Sequence, residues 1–274
     1  MEVPVSVGGA LTAIDTFTEL TTFAGLTISN GGVLVPDGMT RLAAVVVSSA
    51  SNSAAVDESM AFAKLEGPGL SVGPQYIIGN GHGGQDATSD AIQITPTRIP
   101  HGVAVLPGKR IRVLACMSGL DVGQLDVIVT LIFDNKAGGP IQSLCGEASS
   151  ATDDALFNIT AVGGDTLFPY QATKGDVLRA VAIGFNSDYD EVGAAVGACR
   201  LSGAFQGGVT LDFAGPAGGG QLTTSMQAGS APLYYPDIDQ PLTANQLTVQ
   251  GASMGADVGA TMTGVMLLIQ RGGQ

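Results

Sequence analysis

The chain has 274 residues, of which 45% are hydrophobic and 13% are charged, so it carries enough apolar surface for one large core or two smaller ones. Its net charge of -13 repels phosphate backbones and argues against direct nucleic-acid binding. The first residues lack the basic and apolar segments of a signal peptide, and no apolar run is long enough for a transmembrane helix.

The beginning of the chain is predicted to form strands. Threonine and β-branched residues with weak alternation favour strands over helices in residues 1–30. A proline and glycine turn signal at residues 35–38 precedes the apolar run 42–47, which is typical of a strand covered on both faces. Residues 60–65 form the next predicted strand.

Glycine and proline interrupt the following segment so often that no helix is predicted there. The short apolar runs between them predict strands at residues 76–78, 91–94, 103–106, 111–118 and 125–134. In the last of these, Val127, Val129, Leu131 and Phe133 share one face, which we expect to be the core. The opposite face is partly apolar too, which predicts that the sister domain or another subunit covers it.

The two halves of the chain are related by duplication. Residues 64–136 align with residues 200–272 without a gap, at an offset of 136 positions. The identical residues are turn formers and alternate apolar positions, where backbone geometry and packing demand a residue type. Because this offset far exceeds the ~20–50 residues of solenoid repeats, it indicates two copies of one domain. Strands of the second copy are predicted at residues 178–185, 194–201, 209–213, 247–252 and 261–270.

These features together predict an all-β protein made of two tandem jelly-roll or Greek-key β-sandwich domains related by internal duplication. We place the first β-barrel domain at residues 1–137 and the second at residues 151–274. The glycine-rich and serine-rich residues 138–150 are predicted to be the linker between them.

The three cysteines do not suggest a disulfide framework or a zinc knuckle. Cys116, Cys145 and Cys199 are odd in number and widely separated. Cys116 and Cys199 lie in apolar runs and align with alanines of the other copy, so we interpret them as small buried residues.

Motifs for catalysis are scarce, and the sequence predicts no enzyme. It contains no nucleophile elbow, no P-loop and no dinucleotide fingerprint. Asp188, Asp190 and Glu191 offer hard oxygen ligands within one loop and are a candidate calcium site, although such a loop is more often a solvated tip. No other cofactor is predicted.

Weaker candidates for a site are also present. His82 stands near Asp86 and Asp90 in a glycine-rich loop and could ligate a metal, whereas a solvated loop is the simpler interpretation. The remaining residues that we weighed are His101, the acidic pair Asp153 and Asp154, the repeated turn residues Asp121 and Asp257, and the small aromatic pair Tyr234 and Tyr235. An Asx turn explains the repeated aspartates without a ligand.

The paired strands 111–118 with 125–134 and 247–252 with 261–270, at the 136-residue offset, resemble a known architecture. The chain is similar, over nearly its whole length, to the double jelly-roll major capsid proteins of icosahedral DNA viruses of bacteria and archaea. The resemblance implies a homotrimer whose six barrels form a pseudo-hexameric tile, which self-assembles into a shell. It also implies location in the virion, assembly in the host cytoplasm and contacts with other virion proteins.

Two further functions stay open at this point. One is a tandem β-sandwich module for calcium-assisted carbohydrate binding or adhesion, which would act as a monomer. The other is an enzyme resembling two fused cupins, which would need clustered histidine and glutamate ligands that the sequence does not show.

Overall fold

Strands dominate the structure. A computed structural model describes residues 1–11, 13–23, 26–27, 32–51, 59–82, 96–119, 125–150, 152, 154–187, 196–216, 231–254 and 261–273. Strands account for 67% of the described residues, and among these residues the only helical turn is the 3-10 helix Gln206–Gly208. The prediction of an all-β fold is confirmed. No helix in this described part is long and apolar enough to cross a membrane.

In the first half of the fold, the described residues form eleven strands. Their bounds are β1 Glu2–Leu11, β2 Thr18–Glu19, β3 Thr22–Phe23, β4 Leu26–Thr27, β5 Val33–Leu34, β6 Arg41–Ser51, β7 Ser59–Glu66, β8 Gln75–His82, β9 Arg98–Ala104, β10 Arg110–Gly119 and β11 Leu125–Asp134. They form two sheets: sheet 1A has the order β4-β3-β1-β11-β6-β9, and sheet 1B has the order β2-β10-β7-β8, with β5 also pairing with β10.

The second half has twelve strands among its described residues. Their bounds are β12 Ile141–Ser150, β13 Phe157–Ile159, β14 Ala161–Val162, β15 Asp165–Thr166, β16 Tyr170–Gln171, β17 Val177–Ser187, β18 Val196–Ser202, β19 Leu211–Pro216, β20 Leu233–Tyr235, β21 Gln240–Pro241, β22 Gln246–Met254 and β23 Thr261–Gln270. Sheet 2A has the order β15-β14-β12-β23-β17-β20, with β21 on β17, and sheet 2B has the order β13-β22-β18-β19, with β16 on β22.

Both halves have jelly-roll topology. In the first half the eight principal strands are β1, β2 and β6–β11, and they are antiparallel along the sheets. The first, eighth, third and sixth of them are neighbours in sheet 1A, and the second, seventh, fourth and fifth are neighbours in sheet 1B. The principal strands of the second half, β12, β13, β17–β20, β22 and β23, have the same order in sheets 2A and 2B. This order is that of two interlocked Greek keys.

The duplication is visible in the details of pairing. β6 and β11 precede β17 and β23 by the same 136 positions that relate the sequences. An irregularity is repeated as well: the pairing of β6 with β11 skips Ala43, and the pairing of β17 with β23 skips Arg179, which is the equivalent position. Two copies of one domain therefore share their backbone pattern down to a β-bulge.

Alternate residues of the central strands fill the two cores, as predicted. Val127, Val129, Leu131 and Phe133 of β11 are fully buried. The equivalent residues of β23 are equally buried, namely Thr263, Val265, Leu267 and Ile269. The period of two along a strand places these side chains on one face, so the sequence pattern identifies the core directly.

The predicted linker at residues 138–150 is wrong for most of its length. Ile141–Ser150 form β12, which pairs with β23 along all ten residues. The small residues of this segment conceal a strand: Gly146 faces the core, where a Cβ would lie 2.6 Å from the Ile159 side chain and 2.9 Å from the Phe168 ring. Only residues 135–140 connect β11 to β12.

Strand boundaries also differ from the predictions, most clearly for the strand that contains Pro100. The strand predicted at residues 103–106 lies earlier, as β9, and includes Pro100. β9 is an edge strand of sheet 1A. Proline is tolerated at an edge because its missing N–H costs no hydrogen bond inside the sheet. The strand predicted at residues 91–94 lies outside the described residues.

Candidate functional site at the seam between the sandwiches

The two sandwiches pack through unlike faces, the outer face of sheet 1B against the outer face of sheet 2A. Met60, Phe62 and Ile78 project from sheet 1B towards Gly184 and Gly264, which are paired neighbours on sheet 2A. A Cβ at Gly264 would overlap the Met60 sulfur and would lie 3.1 Å from the Phe62 ring and 3.2 Å from Ile78. The two glycines therefore allow a close approach that no larger residue permits.

The covered strand is β23, the counterpart of the strand 125–134 whose back was predicted to be covered; for β11 itself, cover by another subunit stays a prediction. Met262, Met266 and Leu268 of β23 belong to the hydrophobic cluster of the first sandwich. The equivalent face of β11 is open in the single chain, because Ile128 is 44% exposed. We refer to the covered contact as the seam.

Three buried polar residues join the sandwiches at one edge of the seam. His101 of β9, Gln75 of β8 and Ser143 of β12 are all at least nine-tenths buried. The Ser143 hydroxyl donates to Gln75 Oε1 at 3.2 Å and accepts from the Tyr76 N–H at 2.9 Å. His101 Nε2 lies within hydrogen-bond distance of the same hydroxyl, at 3.1 Å. Ser143 N–H also donates to Gln75 Oε1 at 2.9 Å.

The other ring nitrogen of His101, Nδ1, has no hydrogen-bond partner among the described residues. Burial lowers the pKa of His101 to about 4, since the charged imidazolium would lose its hydration. The imidazole is therefore neutral at physiological pH, and its role here is structural.

The buried histidine makes the protein sensitive to acid. Its folded pKa lies below the ordinary value of 6.5, so the unfolded chain binds more protons between these two values. We expect the free energy of unfolding to fall by about 3 kcal/mol as the pH decreases from 6.5 to 4. Urea unfolding over this pH range measures the effect.

The control for this prediction is His101→Gln, whose amide can still hydrogen-bond to Ser143 but does not titrate. The variant is expected to lose the pH dependence attributable to this residue while folding at pH 7. If the variant and the natural protein show the same slope between pH 6.5 and 4, then His101 is not the titrating group.

A second titratable group lies on the same side of β12. Glu147 projects into the seam near Ser118, whose hydroxyl donates to Asp15 Oδ1 at 2.8 Å. Burial is the main cause that raises the pKa of Glu147; the neighbouring polar Ser118 side chain lowers it by less, and the charge of Asp15 raises it. Like charges in a partly desolvated place disfavour ionisation.

Replacing Glu147 is expected to stabilise the protein at neutral pH. Its folded pKa is above its ordinary value, so its contribution is present at acid pH and is lost as the pH rises through the folded pKa. Glu147→Gln removes the ionisation and should raise the free energy of unfolding at pH 7 but not at pH 4. Thermal melts at both pH values check this; a gain of equal size at both would refute the electrostatic explanation.

An ion pair also crosses the seam, next to Tyr76 of the polar set just described. Lys64 Nζ lies 2.7 Å from Asp165 Oδ2, and the Tyr76 hydroxyl donates to the same oxygen at 3.0 Å. The counterpart of Lys64 in the second copy is Arg200, which pairs instead with Asp212 of its own sheet, at 2.7 Å. The first copy thus uses its cation between sandwiches, whereas the second copy keeps it within one sheet.

A cleft of about 350 Å³ opens at the seam beside His101. The Arg41 guanidinium at its wall donates to Asp134 Oδ1 at 2.9 Å, and Arg179 is paired with Asp239 and with Gln270. Because these two cations already have partners, the cleft presents compensated charge to a ligand.

The candidate calcium ligands Asp188, Asp190 and Glu191 lie outside the described residues. The same is true of the other acidic candidates Asp86, Asp90, Asp121, Asp153 and Asp257. His82 is the last residue of β8. In the part of the chain that the structure describes, no three histidine, cysteine or acidic side chains come together as a metal site.

The thiols and the aromatic pair behave as structural residues. Cys116, Cys145 and Cys199 are free and at most 1% exposed, and burial raises the pKa of each thiol, so the interpretation of Cys116 and Cys199 as buried residues is confirmed. Tyr234 packs against the cluster of the first sandwich, whereas Tyr235 packs against that of the second. The two rings therefore do not form a common platform for a sugar.

Three residues of the seam were not predicted from the sequence. Ser143 and Glu147 lie in the segment interpreted as a linker, and Gln75 lies in a glycine-rich stretch. A signal was available for the first two, because Ser143 and Glu147 alternate with the inward residues Leu144 and Gly146. This alternation is typical of a strand with one polar and one apolar face.

The fold defines the protein as a tandem jelly-roll β protein, an architecture that occurs in capsid, lectin and cupin domains. No known protein family matches the chain, and no curated protein matches it. A structure of infectious bursal disease virus, Gt strain, aligns with all of this chain and 76% of its own at 10% identity and a TM-score of 0.21. A structure of the Gx strain aligns with all of this chain and 71% of its own at 13% identity and a TM-score of 0.22. TM-scores this low establish neither a common fold nor a common function.

Proposed function

We propose that this protein is the structural subunit of a viral shell, a non-enzymatic capsid protein that associates with copies of itself as a trimer. The single observation that supports this best is the seam: two sandwiches of one topology lie side by side, joined through unlike faces. A contact between unlike faces can be repeated from copy to copy, and it closes into a ring when the rotation allows. Three chains would then present six similar sandwiches as a pseudo-hexameric tile.

The chemistry of the seam agrees with a structural role. Its polar side chains bond to one another across the sandwiches, as in the set of His101, Ser143 and Gln75 and in the pair of Lys64 with Asp165. Charge makes up only 13% of the chain, and large self-association surfaces are depleted in charge. The protein would be located in the virion, assemble in the host cytoplasm and contact other virion proteins there. With its net charge of -13, it would leave contact with the genome to those proteins.

The mass of the purified protein in solution tests this function. Sedimentation velocity is expected to give three times the chain mass of 27.5 kDa, or a larger particle, and negative-stain electron microscopy is expected to show tiles with six lobes. A monomer at all accessible concentrations contradicts the proposal. If that monomer also gains thermal stability with calcium or with glycans, the protein is instead a calcium-assisted binding or adhesion module.

A further inference from the structure

In each sandwich, the outer face of one sheet is covered by the other sandwich and the outer face of the second sheet is open. The open sheet of each sandwich is the counterpart of the covered sheet of the other. Sheet 1B is the docking face of the seam and sheet 2A is the receiving face. Their equivalents in the other sandwich, sheet 2B and sheet 1A, do not pack on each other in the part of the chain that the structure describes. We infer that sheet 2B of one copy docks on sheet 1A of a second copy, through the counterparts of the seam residues. This inference rests on the proposed function and specifies its subunit interface.

The two receiving faces have the same strand register, but their side chains at equivalent positions differ in size. On sheet 2A, Gly184 is paired with Gly264, and both lie directly under the side chains of the docking sheet. At the equivalent positions of sheet 1A, Ser48 is paired with Ile128. Ile128 is 44% exposed, so the open receiving face carries a projecting apolar side chain where the covered one has a hollow.

The two docking faces also differ in side-chain size, with the large residues on the covered face and the small ones on the open face. On sheet 1B, the large residues Met60, Phe62 and Ile78 fill the hollow above the two glycines. Their counterparts on sheet 2B are Val196, Ala198 and Ala214, and the pair Ala198 with Ala214 repeats the pair Phe62 with Ile78. Val196 is 41% exposed. The open docking face is therefore hollow where the covered one projects.

Large and small side chains are exchanged between the covered and the open faces, and this complementarity identifies a second copy of the chain as the partner of the open faces. In the seam, large docking side chains meet glycines; between copies, small docking residues would meet Ile128. Packed interfaces require such complementarity, and it is expected if each pair of faces diverged together after the duplication. A groove of about 290 Å³ beside Ile128 leaves depth for docking side chains; its lining combines the small residues Gly8, Gly9 and Ala10 of β1 with Thr22 of β3 and with Asp126 and Val127 of β11. Sheet 2A cannot be the receiver between copies, because its own chain covers it.

A compensating pair of substitutions tests the contact. Ala198→Phe places the seam's large residue on sheet 2B, where it should collide with Ile128 of the second copy and weaken association by about tenfold or more. Adding Ile128→Gly recreates the seam's own combination of phenylalanine over glycine and should restore association. Sedimentation equilibrium measures both variants, and circular dichroism checks that each is folded. An association constant that Ala198→Phe leaves unchanged overturns the inference.

Cross-linking gives a second measurement that does not depend on destabilising the assembly. Cysteines introduced as Ile128→Cys with Ala198→Cys should be joined by a short bis-maleimide into chains of two and three subunits, since the three native thiols are buried. The control is Ile128→Cys with Val209→Cys, because Val209 is 54% exposed but precedes β19, away from the docking positions. If the first variant forms trimers in solution but the bis-maleimide does not join their subunits, the assigned faces are refuted and the proposed function stands. Monomers in the natural protein refute both.

Discussion

Gly264→Val is expected to destabilise the protein by about 3 kcal/mol, although valine is a better strand former than glycine. The reason is the seam: a Cβ at this position would overlap the Met60 sulfur and press on the Phe62 ring. Both side chains are fully buried, so neither can move into solvent. Equilibrium unfolding in urea measures the loss in the free energy of unfolding.

The matched control is the equivalent position of the other sandwich. Ile128→Gly makes the reverse change on an open face and should cost only about 1 kcal/mol in the monomer, which is the ordinary cost of glycine in a strand. Met60→Ala should recover part of the loss when combined with Gly264→Val, because it removes the overlapping atoms. A Gly264→Val variant as stable as the natural protein would mean that the sandwiches do not pack at this point.

The faces of the long strands could be predicted from the sequence, because a strand has a period of two and the duplication supplies each position twice. Val129 and Val265 are identical inward residues, and both are buried. The outward positions differ, with Ile128 in one copy and Gly264 in the other, which indicates that one face meets a neighbouring element closely. Which element approaches could not be predicted, since that depends on how the two sandwiches pack against each other.

The polar part of the seam shows the same limit. His101 could be singled out as one of two histidines, but its partner Ser143 is 42 residues away and lies in a segment whose glycines and serines suggest a linker. The hydrogen bond between them exists because an edge strand of the first sandwich meets the first strand of the second. The pattern of a single sequence indicates which residues share a face of a strand, but it does not indicate which residues of two sandwiches come into contact.

The duplication explains why the outward faces carry the information about assembly. Topology, register and even the bulge at Ala43 and Arg179 are repeated, so these features serve each sandwich by itself. The outward residues Phe62 and Ala198 occupy equivalent positions but differ in size. One has a partner within the chain, and the other is free to have a partner only outside it. Divergence at such positions is therefore the expected mark of a contact that distinguishes the two sandwiches.

Asp176→Ala is expected to cost about 4 kcal/mol, a large loss for a residue far from the seam. Its fully buried carboxylate accepts hydrogen bonds from the Thr173 N–H at 2.9 Å, the Gly272 N–H at 2.9 Å and the Tyr170 hydroxyl at 2.8 Å. Removing it leaves these donors without an acceptor and detaches the end of the chain from the start of β17. Urea unfolding at pH 7 measures the cost.

The pH dependence separates this role from simple packing. Burial raises the pKa of Asp176, but the hydrogen bonds from Thr173 and Gly272, with that of Tyr170, outweigh it and hold the pKa below the ordinary 3.8. Its contribution is therefore present above pH 3.8 and is lost as the pH falls through the lowered value. Asp176→Asn, which keeps the size of the side chain but cannot ionise, should lose stability at pH 7 and should approach the natural protein in strong acid.

Asp212→Asn is the matched control: the Asp212 carboxylate is 55% exposed in the pair with Arg200, so the loss should stay below about 1 kcal/mol. Equal losses in the two variants would show that the buried hydrogen bonds of Asp176 add nothing beyond those of an exposed ion pair.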